Sequence, residues 1–148
     1  MNVKKIFKYL LCLLPWFLSS IIFKVDTTYY KNLNLPFFAP PPIIFPIVWT
    51  IIYLLISISI YNTIDKSTSN YKLYLLINYL SNQLYTFCFF TIKNTFLGFA
   101  DCVIVFISSL YLYVETKNID EAQSKYLIPY IAWNLFATIL SLTIFLIN

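Results

Sequence analysis

Long uncharged stretches separated by short polar segments dominate the pattern of this chain of 148 residues. Each stretch approaches the roughly 20 apolar residues that a helix needs to cross the hydrocarbon of a bilayer. The pattern predicts helices over residues 6–23, 43–61, 73–92, 96–114 and 126–147. Because helices satisfy their own backbone groups in lipid, we predict an all-α membrane protein, a five-transmembrane-helix bundle.

Few charges interrupt these stretches. Lys8 lies close enough to the first helix end for its ammonium group to reach the interface, and Asp101 is the single charge of the fourth stretch. The segments "NTIDKSTSNYK" and "ETKNIDEAQSK" predict polar turns, and "KNT" predicts a tight link between the third and fourth helices. No linker or repeat divides the chain, so we predict one domain over residues 1–148.

Two stretches allow another interpretation. The N-terminal segment has the basic start and apolar middle of a secretory signal, but no A-x-A-like cleavage site follows and apolar residues continue to Phe23. The last stretch is also compatible with a buried helix of a soluble protein. Its length and its lack of charge favour a membrane helix instead.

Composition agrees with this picture, since 60% of the residues are hydrophobic and 11% are charged. With five spans, the lysines divide unevenly, and the positive-inside rule places the N-terminus in the cytoplasm. One side holds Lys4, Lys5, Lys8, Lys66, Lys72, Lys117 and Lys125, and the other holds Lys24, Lys31 and Lys93. The net charge of +4 is explained by contacts of these lysines with membrane lipid headgroups, and no nucleic acid binding is predicted.

The inventory of catalytic side chains is short. The chain has no histidine, which removes the usual general base, zinc ligand and axial haem ligand, so we predict no metal site. Cys12, Cys88 and Cys102 have no paired spacing and are most simply small buried side chains. With Gly98 as the single glycine, a phosphate-binding loop and ATP-driven transport are not expected. No cofactor is required.

Aromatic side chains make up 20% of the residues, and many of them suit membrane interfaces or an A/T-rich genome without further function. Some, however, recur with small polar residues every three or four positions and therefore share a helix face. These stripes are Trp49, Tyr53 and Ser57; Asn78, Asn82, Tyr85 and Phe89; and Pro129, Trp133 and Ala137. Because polar groups inside a membrane face the bundle interior or a cavity, the stripes predict one aromatic pocket with a few hydrogen-bonding groups.

The segment "LPFFAPPPIIFPIVWTIIY" resembles the signature of the TspO/MBR family, which includes the tryptophan-rich sensory proteins of bacteria and the mitochondrial translocator protein. The matching positions are Pro36, Phe37, Pro40, Pro41, Phe45, Pro46, Trp49, Thr50 and Tyr53 in this segment, Asn82, Tyr85, Phe89 and Phe90 in the third helix, Asp101 in the fourth, and Pro129, Tyr130, Ala132, Trp133, Phe136, Ala137 and Thr138 in the fifth. The resemblance covers nearly the whole chain.

Some positions depart from the family's pattern. Phe37, Tyr85 and Phe145 stand where the family usually has tryptophan. The C-terminal stretch "LSLTIFLIN" has Leu142 and Leu146 in place of the tyrosine and basic residue of the motif proposed for cholesterol in animal members. Specific cholesterol binding is therefore not predicted.

The resemblance implies a porphyrin or a similar flat aromatic ligand, a homodimer, and a bacterial cytoplasmic membrane. Together with the stripes, it gives as candidate ligand-binding residues Phe37, Phe38, Trp49, Tyr53, Asn82, Tyr85, Phe89, Phe90, Asp101, Trp133 and Ala137. Without a histidine ligand for haem iron, a metal-free tetrapyrrole is the better first ligand, and its carboxylates would reach Lys24 or Lys31. Asp101 has a second interpretation, a buried carboxyl hydrogen-bonded to a neighbouring helix.

The proline cluster "PFFAPPP" predicts a stiff extended segment, since proline fixes φ and removes backbone donors. We predict a lid that turns Phe37 and Phe38 over the pocket; the alternative is an interfacial anchor without a ligand. Three functions remain open: a sensor or regulator of tetrapyrrole, a light-dependent porphyrin-degrading enzyme, and a passive carrier. For the enzyme, the resemblance implies Trp49 and Trp133 as the redox-active candidates.

Overall fold

The computed structural model describes residues 3–148, and within this range the regular structure is helical, without strands. The helices are α1 (Val3–Leu13), α2 (Leu18–Ile22), α3 (Thr27–Asn32), α4 (Ile44–Thr63), α5 (Ser69–Thr86), α6 (Thr95–Ile119), α7 (Glu121–Ser124) and α8 (Ile128–Ile147). The prediction of an all-α protein is confirmed.

Four helical stretches of the described chain are long and apolar enough to cross a membrane. They are Val3–Ile22, Ile44–Lys66, Thr95–Ile119 and Glu121–Ile147. The third predicted span corresponds to α5, which is less apolar because it carries several buried polar side chains. These are Asn78, Ser81, Asn82 and Gln83. The structure therefore supplies four of the five predicted membrane-crossing helices by length and apolarity.

The first membrane-crossing stretch is not one regular helix. A 3₁₀ turn over Leu14–Phe17 separates α1 from α2 and contains Pro15, which has no backbone N–H to continue an α-helix. The turn buries Trp16, whose ring stacks on Tyr53 of α4 with centroids 5.6 Å apart. The side chain of Gln83 on α5 makes hydrogen bonds to backbone groups at this break. Its amide nitrogen donates to the Trp16 carbonyl, and its Oε1 accepts from the Ser19 N–H.

Side-chain caps set helix starts that differ from the predicted ones. Helix α5 begins at Ser69 instead of residue 73, because the Thr68 hydroxyl accepts a hydrogen bond from the Tyr71 N–H at 3.1 Å. Helix α6 is capped by Asn94 and continues past residue 114 to Ile119. The polar segments predicted as turns are therefore partly helical.

Helices α5, α6 and α8 share a buried polar network around Asn78. The Asn78 amide donates to the Val105 carbonyl at 3.1 Å and to Ser108 Oγ at 2.9 Å, both on α6. The Tyr130 hydroxyl of α8 donates to Asn78 Oδ1 at 2.9 Å. Because each of these groups is paired, polar side chains can be buried here without the cost of unmade hydrogen bonds.

The end of α5 opens into a π-helical segment, Phe87–Thr91, in which the Ile92 N–H bonds the Phe87 carbonyl five residues earlier. Lys93 then has a φ of 58°, and the chain reverses into α6. Gly98, in the first turns of α6, packs so closely on Phe89 that a Cβ there would lie 2.7 Å from the ring atom Cδ2.

The connection between α2 and α4 contains helix α3, which the proline-based prediction did not include. Asp26 caps α3 by accepting a hydrogen bond from the Tyr29 N–H. Further along, the Asn34 N–H donates to Asn148 Oδ1 at 2.8 Å, and Asn148 Nδ2 donates back to the Asn34 carbonyl at 3.0 Å. The connection is thus fastened to the end of α8.

Candidate functional site

A cavity of about 540 Å³ lies between α2, α4, α5, the π-helical segment, α6 and α8, next to the α2–α4 connection. This volume is in the range of small-molecule sites in proteins. Nine of the eleven candidate residues line it: Trp49, Tyr53, Asn82, Tyr85, Phe89, Phe90, Asp101, Trp133 and Ala137. Each of the three predicted stripes contributes to this one cavity, although Ser57, Asn78 and Pro129 of the stripes do not line it.

Phe37 and Phe38 are placed elsewhere, in contrast to the predicted lid. The Ala39 N–H bonds the Pro36 carbonyl at 2.9 Å, and this tight turn directs Phe37 outward, where it is fully exposed. Phe38 packs against Phe136 of α8, with ring centroids 6.4 Å apart. The proline-rich segment reaches the cavity instead through Pro42.

Aromatic rings form much of the wall. The Trp49 ring lies 5.4 Å from Tyr53 and 6.4 Å from Trp133, which it meets edge to face at 90°. Tyr85 and Phe89, which also line the cavity, stack with centroids 5.5 Å apart and an interplanar angle of 9°. Rings so arranged offer both faces and edges to a flat aromatic molecule.

Three further aromatic residues of the wall were not among the candidates: Phe17 of the 3₁₀ turn, Tyr30 and Phe45. Phe45 lies one turn before Trp49 on α4 and contacts Trp133, so extending the four-residue stripe backward would have found it. Tyr30 of α3 packs edge to face on Phe45 at 5.5 Å, and its hydroxyl donates to the Pro40 carbonyl. No periodic signal marks Tyr30, because it comes from the irregular connection.

The polar groups of the wall fall into two kinds. Tyr53 and Asn82 are paired: the Tyr53 hydroxyl donates to Asn82 Oδ1 at 2.9 Å, and Asn82 in turn reaches the Asn78 network through Tyr130. By contrast, Asp101 Oδ2, Trp133 Nε1 and Asn134 Nδ2 are buried without a hydrogen-bond partner. Asn134 was not among the candidates, and its position next to Trp133 in the sequence gave no signal. No group of three His, Cys, Asp or Glu side chains suited to a metal occurs within residues 3–148.

An ion pair ties the connection to the α5–α6 turn near the cavity. Lys93 Nζ lies 3.1 Å from Asp26 Oδ2 and 5.4 Å from the centre of the Tyr29 ring, while the Tyr29 hydroxyl donates to the Lys93 carbonyl. The Tyr29 N–H, followed by the Lys93 ammonium, lowers the pKa of Asp26. The stabilisation from the ionised Asp26 is therefore present above the carboxyl's ordinary pKa and is lost as pH falls through its lowered pKa.

Asp26→Asn should loosen the connection at neutral pH. The amide oxygen can still cap α3, so the change removes the charge of the ion pair and little else. We expect trypsin to cleave after Lys24 and Lys31 several-fold faster than in the unaltered protein, read by mass spectrometry. Asp65→Asn is the matched control, because it removes the ion pair of Lys8 near the other end of α4. Equal cleavage in all three proteins would contradict a holding role for the pair.

Comparison with known proteins adds to this geometry. The sequence model of the TspO/MBR family matches residues 9–147. A tryptophan-rich protein TspO of Bacillus cereus is 35% identical over 136 residues, covering 90% of this chain and 89% of the relative. The membrane protein YtaB of Bacillus subtilis is 36% identical over 130 residues, covering 85% and 84%. A tryptophan-rich protein TspO of Archaeoglobus fulgidus is 29% identical over 157 residues, covering 100% of this chain and 99% of the relative.

Proposed function

Because this chain belongs to the TspO/MBR family, we propose that it binds a metal-free porphyrin, or a similar flat aromatic molecule, in the cavity and acts as a sensor or regulator of tetrapyrrole. The protein is a multi-pass integral membrane protein. The observation that carries the proposal is the cavity of about 540 Å³ with Trp49 and Trp133 in its wall. Large rings of this kind stack on an aromatic macrocycle.

The proposal includes a fifth membrane span, α5, with the N-terminus in the cytoplasm of a bacterial cell. Burial of Asn78, Asn82 and Gln83 supports this, because polar side chains that face the bundle interior are compatible with a span. Two copies are expected to associate, as the resemblance implies, and the exposed Ala132 of α8 is a small residue of the kind that lets membrane helices approach closely.

The proposal is tested by titrating the purified protein with metal-free protoporphyrin in the dark while following tryptophan fluorescence. The chain has three tryptophans, of which Trp49 and Trp133 line the cavity and Trp16 does not. We expect saturable quenching, and an affinity about fivefold weaker in Trp133→Phe, since a ring contact contributes about 1 kcal/mol.

Trp16→Phe is the matched control, because it removes a buried tryptophan that is outside the cavity wall. It should leave the affinity for protoporphyrin within a factor of about two, which is smaller than the weakening expected for Trp133→Phe. Quenching without saturation, or equal weakening by Trp16→Phe and Trp133→Phe, would contradict porphyrin binding in this cavity.

A second candidate function is light-dependent breakdown of the bound porphyrin. The edge-to-face contact of Trp49 and Trp133 at 6.4 Å favours it, because two readily oxidised indole side chains of the wall lie together. Illuminating the same complex in air should then bleach porphyrin absorbance faster than light bleaches free porphyrin. The excess should disappear in Trp49→Phe and Trp133→Phe and persist in Trp16→Phe; bleaching at the rate of free porphyrin in all samples would leave only the binding function.

A further inference from the structure

Unpaired polar atoms are concentrated in the cavity wall. Among the described residues, four buried side-chain atoms lack a hydrogen-bond partner, and three of them belong to residues that line the cavity. They are Asp101 Oδ2, Trp133 Nε1 and Asn134 Nδ2. By contrast, Asn82 of the same wall and Asn78 elsewhere in the interior are paired with other side chains. Because buried polar groups in proteins are normally satisfied, these three atoms point to groups of a ligand.

The unpaired atoms differ in kind. Asp101 supplies an acceptor, and it is the one acidic or basic residue among those described in the wall. Asp101 is 7% exposed, and neither of the two ion pairs found in residues 3–148 includes it. Trp133 and Asn134 supply donors. Asn134 is 2% exposed and lies beside the Tyr130 hydroxyl, which already bonds Asn78 and Asn82 and does not accept from Asn134 Nδ2 in good geometry. A buried carboxyl without a cation is costly unless something pairs with it.

The acceptor and the donors lie at different heights along the bundle. Cys102, which follows Asp101 on α6, contacts α8 at two residues: its Sγ is 3.4 Å from Ser141 Oγ, and its carbonyl accepts from the Thr138 hydroxyl at 3.2 Å. Asn134 precedes these two residues on α8 by seven and four positions, a rise of about 6–10 Å. The aromatic wall, including Trp49 and Tyr53, belongs to the same cavity. A ligand that pairs with both ends must therefore be elongated as well as flat.

We propose that the cavity selects an elongated aromatic ligand with an N–H or ammonium group at one end and a carbonyl group at the other. The nitrogen binds Asp101, and the carbonyl oxygen accepts hydrogen bonds from Trp133 and Asn134. The terminal torsions of Asp and Asn are broad, so both side chains can turn toward the ligand at small cost. This inference rests on the cavity being a ligand site, as in the proposed function, and it narrows the class of ligand. A carboxylate at the Asp101 end is disfavoured by charge repulsion.

Three related probes test the two ends by calorimetric titration of the purified protein. 4′-(Aminomethyl)biphenyl-4-carboxamide carries an ammonium group and a carbonyl at opposite ends of a rigid aromatic body. Biphenyl-4-carboxamide keeps only the carbonyl end, and 4-(aminomethyl)biphenyl keeps only the ammonium end. We expect the two-ended probe to bind at least about tenfold more tightly than either single-ended probe.

Variants assign each end to its residue. Asp101→Asn should weaken the two probes with an ammonium group by about tenfold and leave biphenyl-4-carboxamide unchanged. Glu115→Gln is the matched control on the same helix: it makes the same carboxyl-to-amide change outside the cavity wall. Asn134→Leu should weaken only the probes that carry the carbonyl. Without a probe, Asp101→Asn and Asn134→Leu should each melt at the same temperature as the unaltered protein or at a higher one. The first removes a buried unpaired charge, and the second removes a buried unpaired donor.

Equal affinity of all three probes, or unchanged affinity in both Asp101→Asn and Asn134→Leu, overturns the two-ended site. If protoporphyrin still binds in that case, the proposed function stands without it. If the probes follow the expected pattern and protoporphyrin does not bind, the two-ended site stands and the porphyrin proposal fails. If Asp101→Asn does not fold, the affinities of the three probes for the unaltered protein and for Asn134→Leu still decide whether the site has two ends.

Discussion

Gly98→Ala is expected to destabilise the protein and to weaken ligand binding together. The added Cβ would lie 2.7 Å from Phe89 Cδ2 and 3.3 Å from Phe89 Cβ, distances that require the ring to move. Phe89 is 1% exposed and lies between Gly98 and the cavity, with Tyr85 stacked on it. Its available direction is therefore into the cavity, where the ligand would bind.

The expected cost is about 1–3 kcal/mol for overpacking, from which alanine's better helix propensity removes up to about 1 kcal/mol. Denaturant or thermal unfolding in detergent measures the first effect, and titration with protoporphyrin measures the second, expected as about tenfold weaker binding. The control is a double-mutant cycle with Phe89→Ala: once the ring is absent, Gly98→Ala should cost little. Additive losses in the double variant would show that the contact with Phe89 is not the cause.

Asn78→Ala should have the second large effect, because it breaks the hydrogen bonds that join three helices. The change leaves the Tyr130 hydroxyl without its acceptor and removes the donor to Val105 and Ser108. We expect a loss of about 1–3 kcal/mol in the free energy of unfolding, in the range for buried groups left unpaired. The Tyr130 hydroxyl also accepts from Asn82 of the cavity wall, so binding should weaken as well.

Asn62→Ala is the matched control for this prediction. It removes another helical asparagine whose amide makes two hydrogen bonds, to Gln123 and to the Ile58 carbonyl, at an exposed position. Its effect should stay within about 0.5 kcal/mol, as for surface substitutions in general. If Asn78→Ala costs no more than Asn62→Ala, the buried network does not hold α5, α6 and α8 together.

Helical periodicity was sufficient to predict seven of the residues that line the cavity. Trp49 and Tyr53 on α4, and Asn82 and Tyr85 on α5, lie on the faces that their three- or four-residue spacing assigned to them. The reason is geometric: once a segment is a helix, spacing fixes which side chains share a face. The same rule extends to Phe45, which the sequence analysis left out.

Irregular backbone was harder to predict. Proline content indicated a stiff segment before α4, but the direction of Phe37 depends on one hydrogen bond from Ala39 to Pro36, which composition does not specify. The burial of Trp16 likewise depends on the break at Pro15, and α3 arises from a cap at Asp26. Apolarity alone also underrates α5, since its polar side chains are satisfied by partners distant in sequence.

The pairing of α5 with α6 bears on how the protein enters its membrane. As a fifth span, α5 would present Asn78 and Gln83 to lipid if it left the translocation machinery alone, at a cost that its apolar residues do not readily offset. Helix α6 is longer and more apolar, follows after a short reversal at Lys93, and carries the carbonyl and hydroxyl that bond Asn78. Biogenesis should therefore deliver the two helices into the bilayer as a pre-paired hairpin, with α6 supplying the driving force for both.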